Sequence, residues 1–197
     1  SGVSTHSKVP VPESIELGIV RGSTASELVT RATEAADVLA NVITSRKLFA
    51  NISGKKYVRC EGWTTLAALM GFVPREASML RREDGSYEAV AELVRITDGV
   101  ALTRASAECG MSEPTWSKRP EYARRSMAAT RATSKVCRLA FSWVMGLAGF
   151  EVTPFEEIPE EERHKDSGLG GKSPAVSGPM TAAAPAPASA PPSQPLT

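Results

Sequence analysis

The feature that most constrains this chain is one long amphipathic helix, predicted over residues 121–149. At about 100° per residue, four basic side chains fall within about 60° of one another on a narrow stripe. This basic stripe consists of Arg124, Arg131, Lys135 and Arg138. The opposite side is apolar and carries Ala132, Val136, Leu139, Ala140, Trp143 and Leu147. The pattern predicts that the apolar side packs on a core and that the basic stripe faces outward.

The basic stripe has no acidic residue between Arg124 and Gly149 to balance it. Like charges three or four residues apart on a helix repel by about a few tenths of a kcal/mol per pair. A helix face that is merely solvated usually mixes both signs of charge. We therefore interpret the basic stripe as a binding surface for a polyanion, with an ordinary solvated surface as the alternative.

The sequence before this helix predicts another helix, a hairpin and a small sheet. Ser23 or Thr24 is placed to cap a helix over residues 24–48, with Glu27 completing a capping box. A glycine-containing break predicts a hairpin within residues 48–59. A short helix is predicted to follow over residues 64–70. Asp-Gly turns then separate three predicted strands, at residues 77–82, 87–97 and 100–109, and residues 111–120 are predicted to be a loop.

This order of elements predicts an α+β fold. Its core is an antiparallel three-stranded β-meander packed by the long C-terminal helix (a β-β-β-α core), and an N-terminal helix is added to it. The predicted domain covers residues 24–158. Residues 1–23 are predicted to be a flexible arm, and residues 159–197 a disordered tail that is acidic and then rich in Pro and Ala. Neither end carries enough apolar area to offset the entropy cost of ordering.

Several classes of protein are disfavoured by the composition. No apolar run approaches the roughly 18 residues of a membrane span, and residues 1–12 lack the apolar core of a signal peptide. Cys60, Cys109 and Cys137 are scattered, which is typical of a reducing cytoplasm rather than of a disulfide framework or a zinc site.

Residues that support catalysis are sparse. The two histidines, His6 and His164, lie in the predicted tails, where neither is placed to act as a general base or a metal ligand. Residues 168–173 resemble the end of a P-loop, but Asp166 stands where that motif needs its first glycine. We therefore predict no catalytic residue, no cofactor and no metal.

The net charge of +1 conceals a strong asymmetry. Residues 46–138 contain 17 Lys and Arg but 10 Asp and Glu, whereas the flanks contain 6 and 12. A basic middle between acidic ends is a pattern expected of a protein that binds nucleic acid.

Cations and aromatic rings alternate around the predicted hairpin. Lys55, Lys56 and Arg59 flank Tyr57, and Trp63 follows. This mixture suits single-stranded nucleic acid, because cations contact phosphates while rings stack on bases, worth about 1–3 kcal/mol per base. The alternative is that both rings belong to the core and that the lysines form a solvated turn. For Trp63 the core interpretation is favoured.

Two other groups of basic residues are candidates for binding nucleic acid, the first as a second wall of a groove and the second as a loop variant of the same mixture of cations and aromatic rings. Arg75, Arg81 and Arg82 lie near the first turn of the meander. Trp116, Lys118 and Arg119 lie in the predicted loop before the long helix. For both groups the alternative is a solvated surface.

Two segments resemble phage single-strand DNA annealing proteins. One is Ser-Met-Ala-Ala-Thr-Arg-Ala-Thr-Ser-Lys at residues 126–135, which continues to Trp143 and to residues 148–150. The other is Ile-Ser-Gly-Lys-Lys-Tyr-Val at residues 52–58, with Glu-Gly-Trp at 61–63. The relatives are the Erf and Sak groups and the eukaryotic Rad-type annealing protein. The resemblance covers residues 25–157 in the same order of elements.

The resemblance implies a long helix laid over a curved sheet, with subunits joined side by side into rings or filaments. It also implies that single-stranded DNA lies in a positively charged groove and that complementary strands are paired without ATP. Arg131 and Lys135 match the basic positions of the family's long helix, and Lys55 and Lys56 match its basic hairpin. Tails in this class often recruit partners, and here a host single-strand-binding protein is the expected one.

We therefore expect an ATP-independent protein that binds and anneals single-stranded DNA in homologous recombination. We expect a phage-encoded homo-oligomer in the cytoplasm of a bacterial host, with no membrane partner. The predicted DNA-binding residues are Lys55, Lys56, Arg59, Arg81, Arg82, Arg124, Arg131, Lys135 and Arg138. Two alternatives stay open: an oligomeric protein-interaction scaffold, and a nuclease that uses Glu61, Glu88 or Glu92 with magnesium.

Overall fold

The computed structural model describes residues 15–17, 20–22 and 24–163. Residues 164–197 of the predicted tail, and residues 1–14, 18–19 and 23 of the predicted arm, lie outside these. The strands are β1 (Ile15–Leu17), β2 (Val20–Gly22), β3 (Phe49–Ile52), β4 (Lys55–Val58), β5 (Phe72–Arg81), β6 (Tyr87–Arg95) and β7 (Ala101–Cys109). The helices are α1 (Ala25–Ser45), α2 (Cys60–Leu69), α3 (Pro114–Ser117), α4 (Glu121–Leu147) and α5 (Glu160–Arg163), with a 3₁₀ turn at Phe155–Glu157.

The predicted meander and long helix are confirmed. β5, β6 and β7 form an antiparallel sheet in that order, and α4 lies mainly across β6 and β7. β5 begins at Phe72, ahead of the predicted start, and contains Pro74. An edge strand tolerates proline because one side of its backbone needs no ladder partner. The fold is therefore α+β, with the predicted β-β-β-α core.

Small residues form the contact between α4 and the sheet. Ala128 and Ala132 of α4 are fully buried, and the sheet contributes the buried Ala89, Ala91 and Ala105. Alanine adds little bulk, so the helix backbone lies close to the strands at the density of a protein interior.

Beyond the sheet, α4 also packs on α1 and α2. Its buried residues include Cys137, Phe141, Val144 and Met145, and the Phe141 ring lies 5.5 Å from that of Phe72. The buried sector therefore shifts around the helix along its length. The prediction of a single apolar face is wrong for three residues of the second half of α4. Leu139 is 53% exposed, Trp143 37% and Leu147 43%.

Local signals account for the remaining boundaries. The Thr24 hydroxyl accepts a hydrogen bond from the Glu27 N–H at 3.2 Å, which confirms the predicted cap of α1. Ser53 and Gly54 both have positive φ, as the tight turn between β3 and β4 requires. Gly71, at φ 80°, follows the end of α2.

Four short strands and helices were not predicted. β1 and β2 pair within the predicted arm, where Ile15, Leu17 and Val20 provide strand-forming residues. α3 lies in the predicted loop and begins at a proline, which is favoured at the first helical position. α5 lies at the start of the predicted tail.

We expect Gly62→Ala to destabilise the fold, since an added Cβ would lie 2.3 Å from Cγ1 of Val58 in the core. Overpacking of this kind costs about 1–3 kcal/mol in urea unfolding. Gly146→Ala is the matched control, because its Cβ would meet Val152 at an ordinary 3.6 Å. That helical change should be neutral or stabilising by up to about 1 kcal/mol. Equal effects of the two variants would contradict the packing described here.

Candidate nucleic-acid interface

The basic stripe occupies one flank of α4, but its charges are already bound by groups from other elements. Arg124 is 8% exposed, so the prediction that it faces outward is wrong. Its guanidinium donates hydrogen bonds to the carbonyl oxygens of Gly85 at 3.2 Å and Arg119 at 2.5 Å, and more weakly to that of Trp116 at 3.4 Å. Arg124 thus ties the turn after β5 and the loop before α4 to the helix.

Arg131 is paired with a carboxylate that the sequence pattern did not connect to it. Its guanidinium forms a bidentate ion pair with Glu113, at 2.7 and 2.6 Å, and donates to the Glu108 carbonyl at 2.8 Å. The side chain is 13% exposed. Burial lowers the pKa of Arg131, but the hydrogen bond and charge of Glu113 outweigh burial and raise it. Arg131 is therefore a charged structural residue in this state.

The remaining two residues of the stripe are also engaged. Lys135 Nζ donates to the Ser106 carbonyl at 3.0 Å, and Arg138 Nη2 lies 3.1 Å from the Glu157 carboxylate. The expectation that the stripe has no acidic partner is wrong for Arg131 and Arg138, because their acids come from the α3 region and from the chain after α4.

Arg81 and Arg82 are exposed but paired. Arg81 Nε lies 2.7 Å from Glu121, which also accepts a hydrogen bond from the Tyr87 hydroxyl. Arg82 Nη2 lies 2.8 Å from Glu88 and 3.6 Å from Glu108. Exposed pairs of this type contribute little to stability because solvent screens them, so both guanidiniums remain accessible to another anion.

The β3–β4 hairpin and the residue after it carry basic residues with few acidic partners. Lys55 lies 4.0 Å from Glu151, the limit of an ion pair. Lys56 Nζ lies 5.7 Å from the centre of the Phe49 ring, and the Arg59 guanidinium lies 4.8 Å from that of Phe155. Neither Lys56 nor Arg59 has a carboxylate within 4 Å among residues 24–163.

Two further basic residues, which the sequence analysis did not single out, belong to the same region. Arg46 and Lys47 are exposed at the end of α1, directly before β3, and no carboxylate of the described domain lies within 4 Å of them. The signal was present in the sequence, because residues 46–59 contain five basic residues and no acidic one. We call this set the hairpin cluster: Arg46, Lys47, Lys55, Lys56 and Arg59.

The aromatic residues near the hairpin cluster are divided between core and surface. Trp63 is fully buried, which confirms the core interpretation. Tyr57 is half-buried on β4, and Trp116 is half-buried against the core. Asn51 faces Lys56 across the hairpin and is exposed, so it adds a hydrogen-bonding group beside the cations.

The carboxylates considered for a nuclease do not form a metal site in the described part of the chain, where no group of three potential ligands is present. Glu92 accepts hydrogen bonds from Arg75 at 2.7 Å and from Arg104 at 2.5 Å. Glu88 is paired with Arg82, and Glu61 lies in the first turn of α2.

A buried carboxylate links the chain after α4 to the start of α2. Glu156 is 8% exposed and accepts hydrogen bonds from the Cys60 N–H at 2.8 Å and from the Ser134 hydroxyl at 3.1 Å. Burial raises the pKa of Glu156, although these hydrogen bonds act in the opposite direction. The carboxylate therefore takes the place of a capping side chain at the N-terminus of α2.

We expect Arg124→Gln to destabilise the domain, because it leaves buried carbonyl groups without a donor. The cost is about 1–3 kcal/mol in urea unfolding. The neighbouring Arg125→Gln is the control, since Arg125 is exposed and its distance to Glu76 is 4.0 Å. Its effect should stay within about 0.5 kcal/mol. Wild-type stability of the Arg124→Gln protein would rule out the anchoring role.

We expect Glu156→Gln to change how stability depends on pH. The folded-state pKa is raised, so the stability that this group supplies is complete below its unfolded pKa and is lost as pH rises through the folded pKa. Glutamine keeps one oxygen for the Cys60 N–H and cannot ionise. We therefore expect the free energy of unfolding of the variant, relative to that of the wild type, to be higher at pH 8 than at pH 4.5 in urea unfolding. A constant difference would mean that Glu156 does not titrate in this range.

Comparison with known protein families, with curated proteins and with solved structures finds no match to this chain. No helix in the described ranges is long and apolar enough to cross a membrane. The functional interpretation therefore depends on the residues of the chain and on the family resemblance of its sequence.

Proposed function

We propose that this protein binds single-stranded DNA and anneals complementary strands without ATP, as a component of homologous recombination. The observation that carries the proposal is the hairpin cluster. Five basic residues project from a stretch of 14 that has no acidic residue, and four of them have no carboxylate within 4 Å in the described domain. A surface with this excess of charge attracts a polyanion.

The chemistry of the hairpin cluster suits a nucleic-acid backbone better than a base edge. Lysine and arginine contact phosphates without reading sequence, so the bases stay free to pair with a second strand. No covalent step is needed. Binding of this kind releases counterions, and log Kd should change with log salt by about 0.7 per neutralised phosphate on single strands.

The fold also supports the proposal. A helix, a hairpin, a three-stranded meander and a long helix follow one another in the order that the resemblance to phage annealing proteins implies, with α2 inserted between the hairpin and the meander. The two lysines that the resemblance assigns to a basic hairpin, Lys55 and Lys56, lie on β4 of such a hairpin. Arg131 and Lys135, which it assigns to the long helix, are engaged within the fold instead.

The same proposal includes self-association in the cytoplasm of a bacterial host of a phage. An exposed apolar row on the second half of α4, formed by Leu139, Trp143 and Leu147, is a surface that a second copy can cover. We also propose that the chain beyond residue 163 recruits a host single-strand-binding protein. The apolar row favours equally the second candidate function, an oligomeric interaction scaffold without nucleic-acid activity.

We expect the double change Lys55→Gln/Lys56→Gln to weaken binding of a fluorescent oligo(dT) about tenfold at 100 mM salt, as measured by anisotropy. The salt dependence should flatten by about 1.4 in log–log slope, because two phosphate contacts are lost. Annealing of complementary labelled oligonucleotides should slow in parallel.

Arg31→Gln is the control for loss of positive charge, since Arg31 is exposed on α1 outside the hairpin cluster. Its affinity and slope should remain close to those of the wild type. Failure of the wild-type protein to bind oligonucleotide at 50 mM salt would favour the scaffold. Equal weakening by the control would remove the hairpin from the site.

A further inference from the structure

The chain after α4 folds back over the flank of the helix that carries the basic stripe. We call residues 154–163 the acidic strap. Pro154 is fully buried and Ile158 is 9% exposed, so the strap is anchored in the domain. Two guanidiniums lie near the centre of its Phe155 ring, that of Arg59 at 4.8 Å and that of Arg163 at 4.6 Å.

The acidic strap places carboxylates on the basic stripe. Glu157 pairs with Arg138 at 3.1 Å, and its charge also interacts with that of Lys135. Glu160 interacts electrostatically with Arg131. A carboxylate of the strap therefore lies on Arg138, one of the cations that the sequence pattern assigns to a polyanion, and the charge of the strap also acts on Lys135 and Arg131.

The contact is incompletely hydrogen-bonded. Six buried side-chain nitrogen or oxygen atoms in the described domain have no partner, and two of them are the indole nitrogens of Trp63 and Trp116. The other four are Arg131 Nε and Arg138 Nε of the stripe, and Glu157 Oε1 and Arg163 Nε of the strap. A single carboxylate oxygen serves Arg138 here, whereas a phosphate presents several acceptors to the guanidinium fork.

The hairpin cluster and the basic stripe meet at this strap. Arg59 belongs to the cluster and stacks on Phe155, while Glu157, two residues on, binds the stripe. A DNA strand that leaves the hairpin cluster along this side of the domain meets the strap next.

We propose that the acidic strap competes with DNA for the basic stripe and holds it closed until a strand bound at the hairpin cluster displaces the strap's carboxylates. This inference depends on the proposed function and adds a regulatory contact to it. Displacement frees Arg138 and Lys135 for phosphate contacts, so the bound strand extends from the hairpin onto α4.

The test is the affinity of Glu157→Gln, in the full chain, for oligo(dT). Glutamine keeps the size of the side chain and removes the competing charge. We expect binding at least about threefold tighter than wild type, with a log–log salt slope steeper by about 0.7 for one added phosphate contact. Glu34→Gln is the matched control, because it removes one exposed carboxylate of α1 and should change neither quantity.

A double variant identifies the cation that is released. If the gain arises from a freed Arg138, then Arg138→Gln in the Glu157→Gln background should abolish it. Thermal unfolding of each variant reports its folding. Glu160→Gln, which leaves the Arg138 pair intact, provides a second variant with the same expected direction should Glu157→Gln fail to fold.

Several outcomes overturn the inference. One is an affinity of Glu157→Gln for oligo(dT) equal to that of Glu34→Gln. Another is a gain in affinity that persists in the double variant. Should Glu157→Gln fail to fold, an affinity of Glu160→Gln equal to that of the wild type also overturns the inference. In each case oligo(dT) binding that still depends on Lys55 and Lys56 would leave the proposed function standing. Absence of binding by the wild type and by every variant would instead reject the proposed function, and this inference with it.

Discussion

The rest of the structure depends on the close contact between the alanine-rich face of α4 and the sheet. Ala128 and Ala132 bring the helix so near the strands that basic side chains on its flank reach the backbone of β7. Lys135 and Arg131 donate to the carbonyl oxygens of Ser106 and Glu108 on this edge strand. An uncovered strand edge is a template for pairing with another chain, and cations placed over it discourage that pairing. The first role of these two residues is therefore to complete the fold.

This arrangement separates two kinds of positive charge that look alike in the sequence. Arg124 and Arg131 are held by carbonyl groups or a carboxylate inside the domain. A guanidinium in a well hydrogen-bonded, half-buried ion pair gains little free energy by exchanging its partner for a phosphate. The cost of removing the guanidinium from water is already offset by the partner that it has. The residues of the hairpin cluster form no such buried pair, since Lys55 lies only at the 4.0 Å limit from Glu151. DNA can therefore contact this cluster first. The Arg138–Glu157 contact at the acidic strap is paired but incompletely hydrogen-bonded, so it is intermediate between these two groups. It is therefore the part of the stripe at which DNA competes most readily.

Local signals made most of the fold predictable. The Thr24 cap, the positive-φ turn at Ser53 and Gly54, and the Asp-Gly turns of the meander all act over a few residues, so the sequence reveals them. The wheel also placed the basic stripe correctly on one flank of α4. The partners of that stripe could not be predicted, because Glu113 and Glu157 reach it only through the tertiary fold. Trp143 was assigned to the core for a similar reason, since a helical wheel assumes one buried sector along the whole helix.

The central claim is that DNA first contacts the hairpin cluster while the buried arginines of α4 keep their structural roles. The most direct measurement is a backbone and side-chain NMR titration with a short oligo(dT), which follows Lys and Arg side-chain signals together with amides. We expect the largest changes at residues 46–59, with the Arg124 guanidinium signal unmoved. Changes centred on the Arg124 side chain, with residues 46–59 unaffected, would contradict this account.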